Sequence, residues 1–117
     1  MEAVNDLALS APADAARNTS VAGIVARDLS PLARAIDEGG VYPERILRAL
    51  GEAGAFGRHL DGCAADGGLS DAIADMAEIA AVCLSTAFCA WCQDALAWYL
   101  DRAENLGPRE RWLDEVR

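Results

Sequence analysis

The sequence predicts an all-α domain, a bundle of five to six helices, and three observations carry that reading. Slightly over half of the residues are hydrophobic, and alanine supplies much of that fraction, which favours helix. β-Branched residues are sparse, and no stretch alternates apolar with polar side chains as a half-buried strand would. Apolar residues recur instead at three- and four-residue intervals, between punctuation marks that suit helix ends. At 117 residues the chain is one domain's worth, long enough to bury a core without metal or disulfide staples.

Residues 1–12 read as a frayed N-terminus and 13–117 as the helical domain. From Asp14 a helical pattern begins, with Val21, Ile24, Val25, Leu29, Leu32 and Ile36 on one stripe. Pro31 lies inside that pattern, so a kink or a split after Leu29 is expected. Gly39-Gly40 ends it. The segment "VYPERILRALGEAG" reads as a second helix, with Pro43 at its first position, Ile46, Leu47 and Leu50 on its buried face and Gly54 as terminator.

"AFGRHLDGCAADGGLS" is glycine-rich and without a period, so it reads as a loop. Ser70 is expected to cap a third helix, with Ile73, Met76, Ala77, Ala80 and Leu84 on one face and Asp71, Asp75 and Glu78 on the opposite one. Ser85 or Thr86 is expected to cap a fourth helix running to about Ala103. "NLGPRERWLDEVR" breaks at Gly107 and restarts with Pro108 as a short terminal helix edged by Trp112 and Leu113.

Charge narrows the partners. The net charge is −9, and all ten basic residues are arginine. Between Arg58 and Arg102 there is no basic residue, while seven acidic ones lie there. Such a surface repels phosphate backbones, so nucleic acid is not an expected partner. The acidic start of the chain lacks the basic n-region of a signal peptide, and no run of 18 apolar residues suggests a membrane span. Four cysteines without a secretory signal point to free thiols in a reducing, cytoplasmic setting.

The densest chemistry is "CLSTAFCAWCQDALAWYL", residues 83–100. Cys89 and Cys92 share a helix face, and a zinc site would need His59 and Cys63 as further ligands. CxxC zinc knuckles sit in turns, and a redox CxxC follows a strand; here the pair lies amid helix patterning. Packing is therefore the expected role of these cysteines, and no metal site is expected. The carboxylates Asp71, Asp75 and Glu78 read as a solvated face, and His59, the sole histidine, as a surface loop residue. No nucleophile elbow, phosphate-binding loop or dinucleotide fingerprint is present, and no residue is assigned as catalytic.

The order of the punctuated helices resembles the N-terminal helical domain of the acyl-CoA dehydrogenase family. "LSPLARAIDEGGVYPERILRALGEAGAFGRHL" is similar to the family's opening: a helix with an internal proline, an acidic-Gly-x-hydrophobic-Pro step, then a short helix ending in a GxxG turn, here Gly54 to Gly57. "DGGLSDAIADMAEIAAVCLSTAF" resembles the glycine turn and long helix that follow, and "AWYLDRAENLGPRERWLDEV" the next helix, turn and terminal segment. The resemblance covers residues 14–117. Asp66 stands where the family usually has an aromatic residue, "NLGPRER" lacks the Thr, Gln and Lys of the family's turn, and Leu113-Asp114 replaces its Leu-Pro.

The resemblance implies a flavoprotein that removes hydrogen from the α and β carbons of an acyl thioester, with FAD as cofactor. In that family the flavin and the catalytic carboxylate belong to a middle β-domain and a C-terminal helical domain. The chain is expected to stop short of both, to hold no FAD alone, and to be inactive alone. Its partners would be the thioester substrate and either a homo-oligomer or a complementary polypeptide carrying the missing domains. The helix read as residues 85–103 would line the acyl-binding cavity, with Phe88, Trp91, Cys92 and Ala95 as substrate-binding residues; the alternative is that all four are core. A stand-alone helical interaction module derived from the same fold is the rival function.

Overall fold

A computed structural model describes residues 19–60 and 68–116. The frayed segment expected at 1–12, and Cys63, lie outside the described residues. Among those described, the secondary structure is entirely helical: α1 (Val21–Ile24), a π-helical turn (Val25–Leu29), a 3-10 turn (Ser30–Leu32), α2 (Ala33–Gly39), α3 (Glu44–Glu52), α4 (Gly68–Val82), α5 (Leu84–Asp101) and α6 (Leu106–Val116).

The first stripe splits where Pro31 requires it. Pro31 has no N–H to give to the Arg27 carbonyl, and its ring crowds that oxygen. The chain answers with a π turn ending at Leu29 and a 3-10 turn around the proline, a common way to absorb one residue too many. Val21, Ile24, Val25, Leu29 and Ile36 are buried as the stripe requires. Leu32 departs from it and is 43 % exposed, because the changed helical pitch carries it off the inner face. Ser20 caps α1, its Oγ accepting from Gly23 N–H at 3.1 Å.

Two helices end on left-handed glycines. Gly40 has φ 66°, and the N–H groups of Gly40 and Val41 fold back on the carbonyls of Ile36 and Ala35. Gly54, φ 81°, closes α3, and Ala55 N–H returns to the Leu50 carbonyl. Both turns satisfy carbonyls that a helix end leaves bare. α3 starts one residue later than expected: Pro43 is its N-cap and Glu44 its first helical residue. Ile46 and Leu50 are buried and Leu47 packs against the core. After Gly54 the chain keeps inward, burying Ala55, Phe56 and Leu60, where a free loop was expected.

α4 begins at Gly68, so Ser70 lies in its first turn and does not cap it. Its inner face is Ala72, Ile79 and, in the link, Cys83, with Met76 and Ala80 at the border. Ile73 and Leu84, expected inside, are 61 % and 72 % exposed. A single extended residue, Cys83 (φ −149°, ψ 105°), joins α4 to α5. No side chain caps α5. Thr86 is buried and donates to Cys83 Sγ at 3.2 Å, while Ser85 donates to Asp37 Oδ1 at 2.5 Å and ties α5 to α2.

α4 and α5 therefore form a tight antiparallel hairpin, and α6 repeats the reversal. Asn105 Oδ1 accepts from Gly107 N–H at 3.2 Å, so Asn105 opens α6 and Gly107-Pro108 fall inside its first turn; the helix starts at Leu106, earlier than the expected restart at Pro108. Arg109 pairs with Asp101 at 3.5 Å at one end of the α5–α6 pair. Gln93 donates to the Val116 carbonyl at 2.8 Å at the other. The main core lies between the first two helices, α3 and the inner faces of α4 and α5. Among the described residues no helix is long and apolar enough to cross a membrane.

A candidate ligand cavity between the hairpin helices

α5 uses its faces differently. The side that meets the core is built from small residues, Thr86, Ala87, Ala90 and Ala97, all buried, so neighbouring backbones approach closely. The large residues are displaced to the outer side: Leu84, Phe88, Trp91, Trp98 and Tyr99 are all exposed. Phe88 is 62 % exposed and Trp91 57 %, and their rings lie 5.9 Å apart between centroids in a tilted contact. Trp98 and Tyr99 meet edge-on at 5.4 Å, the arrangement that ring quadrupoles favour.

Beside this face lies a cavity of about 420 Å³, lined by Leu69, Ala72, Ile73 and Met76 of α4 and by Trp91, Asp94, Ala95, Trp98 and Tyr99 of α5. Its size falls within the range of small-molecule sites, roughly 300–1,000 Å³. Of the four residues expected to bind substrate, Trp91 and Ala95 line it. Phe88 adjoins it through the ring contact with Trp91. Cys92 is exposed and is not part of the lining. The alternative that all four are core does not hold, since Phe88, Trp91 and Cys92 are exposed.

Two residues that the sequence did not place here give this cavity its polarity. His59, expected on the surface, is half-buried and lines it, its Nε2 3.1 Å from the Asp94 carbonyl oxygen. Asp94 also lines it, and burial pushes its carboxyl up to about 6; attraction to His59 opposes the shift and repulsion from Asp75 adds to it. Asp75 is not on a solvated face either. Its side chain is 20 % exposed and takes the Arg58 guanidinium as partner. The only hint of this in the sequence is the i,i+3 spacing of Ala72, Asp75 and Glu78, which puts Asp75 beside a buried alanine.

A second cavity, about 530 Å³, lies between α3, α5 and the end of α6. Glu44, Glu52, Glu115, Arg48, Cys89 and Gln93 are among its lining residues, and Arg48 is held by Glu44 at 2.9 Å. Cys83 is buried as a packing cysteine should be, whereas Cys89 is half-buried at this cavity and Cys92 exposed. Among the described residues no group of three His, Cys, Asp or Glu side chains is placed to hold a metal ion.

Neither of these two cavities suits a dinucleotide. A pyrophosphate needs cations or converging N–H groups. The first cavity offers a carboxyl and an imidazole, and the second three carboxylates around one arginine already in an ion pair.

What the described residues form is a helical domain with an apolar, aromatic-walled cavity on one face. Residues 13–116 match the sequence model of the acyl-CoA dehydrogenase N-terminal domain. The chain belongs to the acyl-CoA dehydrogenase family, of which these residues are the N-terminal domain. No curated protein and no solved structure matches it.

Proposed function

We propose that this domain supplies one wall of the acyl-binding cavity in an FAD-dependent enzyme that desaturates an acyl thioester, and that α5 is that wall. One observation carries the reading: the bulky apolar residues of α5 face outward beside a cavity while its alanines face the core. A helix that served only the core would be arranged the other way round. Phe88, Trp91, Cys92 and Ala95 form the contact surface, with Trp91 and Ala95 at the cavity itself.

The flavin and the proton-abstracting carboxylate are supplied by residues outside this sequence. A flavin held by those other residues would supply the hydride acceptor for the desaturation, and no residue of this chain is assigned to hold it. The residues of α5 exclude water from the acyl chain and fix its position, and Trp91 sets how long a chain is accepted. The chain acts in a cytoplasmic setting, as part of a homo-oligomer or together with a polypeptide that carries the flavin site.

The test is absorbance spectroscopy of the 117-residue chain, purified alone and after co-expression with the family's β-domain and C-terminal helical domain. The chain alone is expected to be colourless, and the assembly to carry a flavin band that an acyl-CoA bleaches. A soluble assembly without flavin, or one that forms equally well without the chain, would instead favour an interaction module.

A further inference from the structure

The side chains along the outer side of α5 form an interrupted row. At one end Phe88 and Trp91 stack, their ring centroids 5.9 Å apart and their planes tilted by 30°. At the other end the Arg102 guanidinium lies over the Trp98 ring at 4.5 Å, held by the ring quadrupole. Between the two pairs stands Ala95, which lines the cavity together with both tryptophans. Successive members, Phe88, Trp91, Ala95, Trp98 and Arg102, follow one another at intervals of three or four residues, the spacing that brings side chains together on a helix. The row is complete except at the alanine.

The gap has the length of one more ring. Trp91 and Trp98 are seven residues apart, which is roughly 10 Å along a helix. A ring seated on Ala95, midway, lies about 5 Å from each indole, inside the roughly 4.5–7 Å range of favourable ring pairs. Phe88 precedes Trp91 and Arg102 follows Trp98, so the places already taken are the outer ones, and both indoles stay exposed. From α4 the cavity takes Leu69, Ile73 and Met76, whose side chains have no N–H or O–H for the polar edge of a nucleobase. A thioether does favour the edge of a hydrocarbon ring.

We propose that the acyl group taken up by this cavity carries an aryl ring, seated on Ala95 between Trp91 and Trp98 as the missing member of the row. This rests on the reading of α5 as an acyl-cavity wall and narrows its substrate to aryl-acyl thioesters. Ala95 is then the specificity-determining residue, because its methyl group leaves the space that the ring fills and a larger side chain closes it. A saturated ring of the same size gains the same burial but has no π face to offer the indoles.

The test is NMR titration of the full 117-residue chain, isotope-labelled, with phenethyl alcohol and with cyclohexylethanol. Both probes are uncharged, so the Asp94 carboxyl does not bias the comparison, and the cyclohexyl probe is the more hydrophobic, so burial alone favours it. The phenyl probe is expected to bind about tenfold more tightly, through two ring pairs. Its ring current should shift the indole N–H signals of Trp91 and Trp98 and leave that of Trp112, which is not part of the lining, in place. Ala95→Leu should abolish the preference for phenyl, and Trp98→Leu should reduce it to about threefold; circular dichroism checks that both variants fold. If cyclohexylethanol binds as tightly as phenethyl alcohol or more tightly, or if both variants keep the full preference, the aryl assignment falls and the apolar wall stands. If neither probe binds, the wall falls with it.

Discussion

Replacing Asp94 by asparagine should make the protein more stable at neutral pH, and the size of the gain follows from the burial of this carboxyl. Its pKa rises from 3.8 to about 6, chiefly because the charged form loses solvation. The folded state therefore holds the proton more tightly than the unfolded chain does. The resulting stabilisation is fully present below pH 3.8 and is lost as pH rises through about 6. Above that, the ionised carboxylate acts against the fold. At about 1.4 kcal/mol per pH unit the shift corresponds to about 3 kcal/mol, and partial exposure at the cavity wall reduces this to about 1–2 kcal/mol. An asparagine at this position would keep the shape, remove the charge, and add an N–H donor within reach of the same environment.

Urea denaturation followed by circular dichroism reads this directly. With a slope of about 1–1.5 kcal/mol per M for a domain of this size, the midpoint of Asp94→Asn at about pH 7.5 should exceed wild type by about 1 M. At about pH 4 the two midpoints should nearly coincide. A variant that is neutral or destabilised at the higher pH, or whose advantage is the same at both pH values, would refute the burial argument.

Other substitutions report on other parts of the fold. Leu50 is fully buried, so Leu50→Ala should cost about 2–5 kcal/mol by equilibrium unfolding. Gly40→Ala and Gly54→Ala force alanine into positive φ and should each cost about 1–2 kcal/mol, measurable as a lower unfolding midpoint. Arg58→Met removes the partner of half-buried Asp75 and should destabilise by about 1 kcal/mol at neutral pH, read as a lower unfolding midpoint. The exposed row of Leu84, Phe88, Trp91 and Tyr99 should make the 117-residue chain self-associate. Sedimentation equilibrium should show this, and Phe88→Ser with Tyr99→Ser should shift the chain toward monomer.

Most of the fold could be read from local signals, because the signals are strong where backbone chemistry is constrained. Pro31, Gly40 and Gly54 each force a single outcome, and the structure breaks or closes a helix at each. Legibility falls where tertiary contacts decide. The α4–α5 break at Cys83 has no glycine, proline or side-chain cap; what holds it is the burial of Cys83 and Thr86 and the reach of Ser85 to Asp37. Ile73 has the spacing of a core residue, yet the hairpin turns it toward Trp98 and Tyr99 across a cavity. The same folding brings His59 of the loop against Asp94, 35 positions away, which no local period records. That Phe88, Trp91 and Ala95 share one helix face follows from their spacing; that this face points outward depends on the alanines opposite.

The central claim is that α5 is a wall of the acyl site, and chain-length preference tests it most directly. In the assembled flavoprotein, acyl thioesters of increasing length are added and bleaching of the flavin band is followed for wild type and Trp91→Ala. The account predicts unchanged flavin content and a preference shifted toward longer acyl chains in the variant. An identical length profile for both proteins would contradict it.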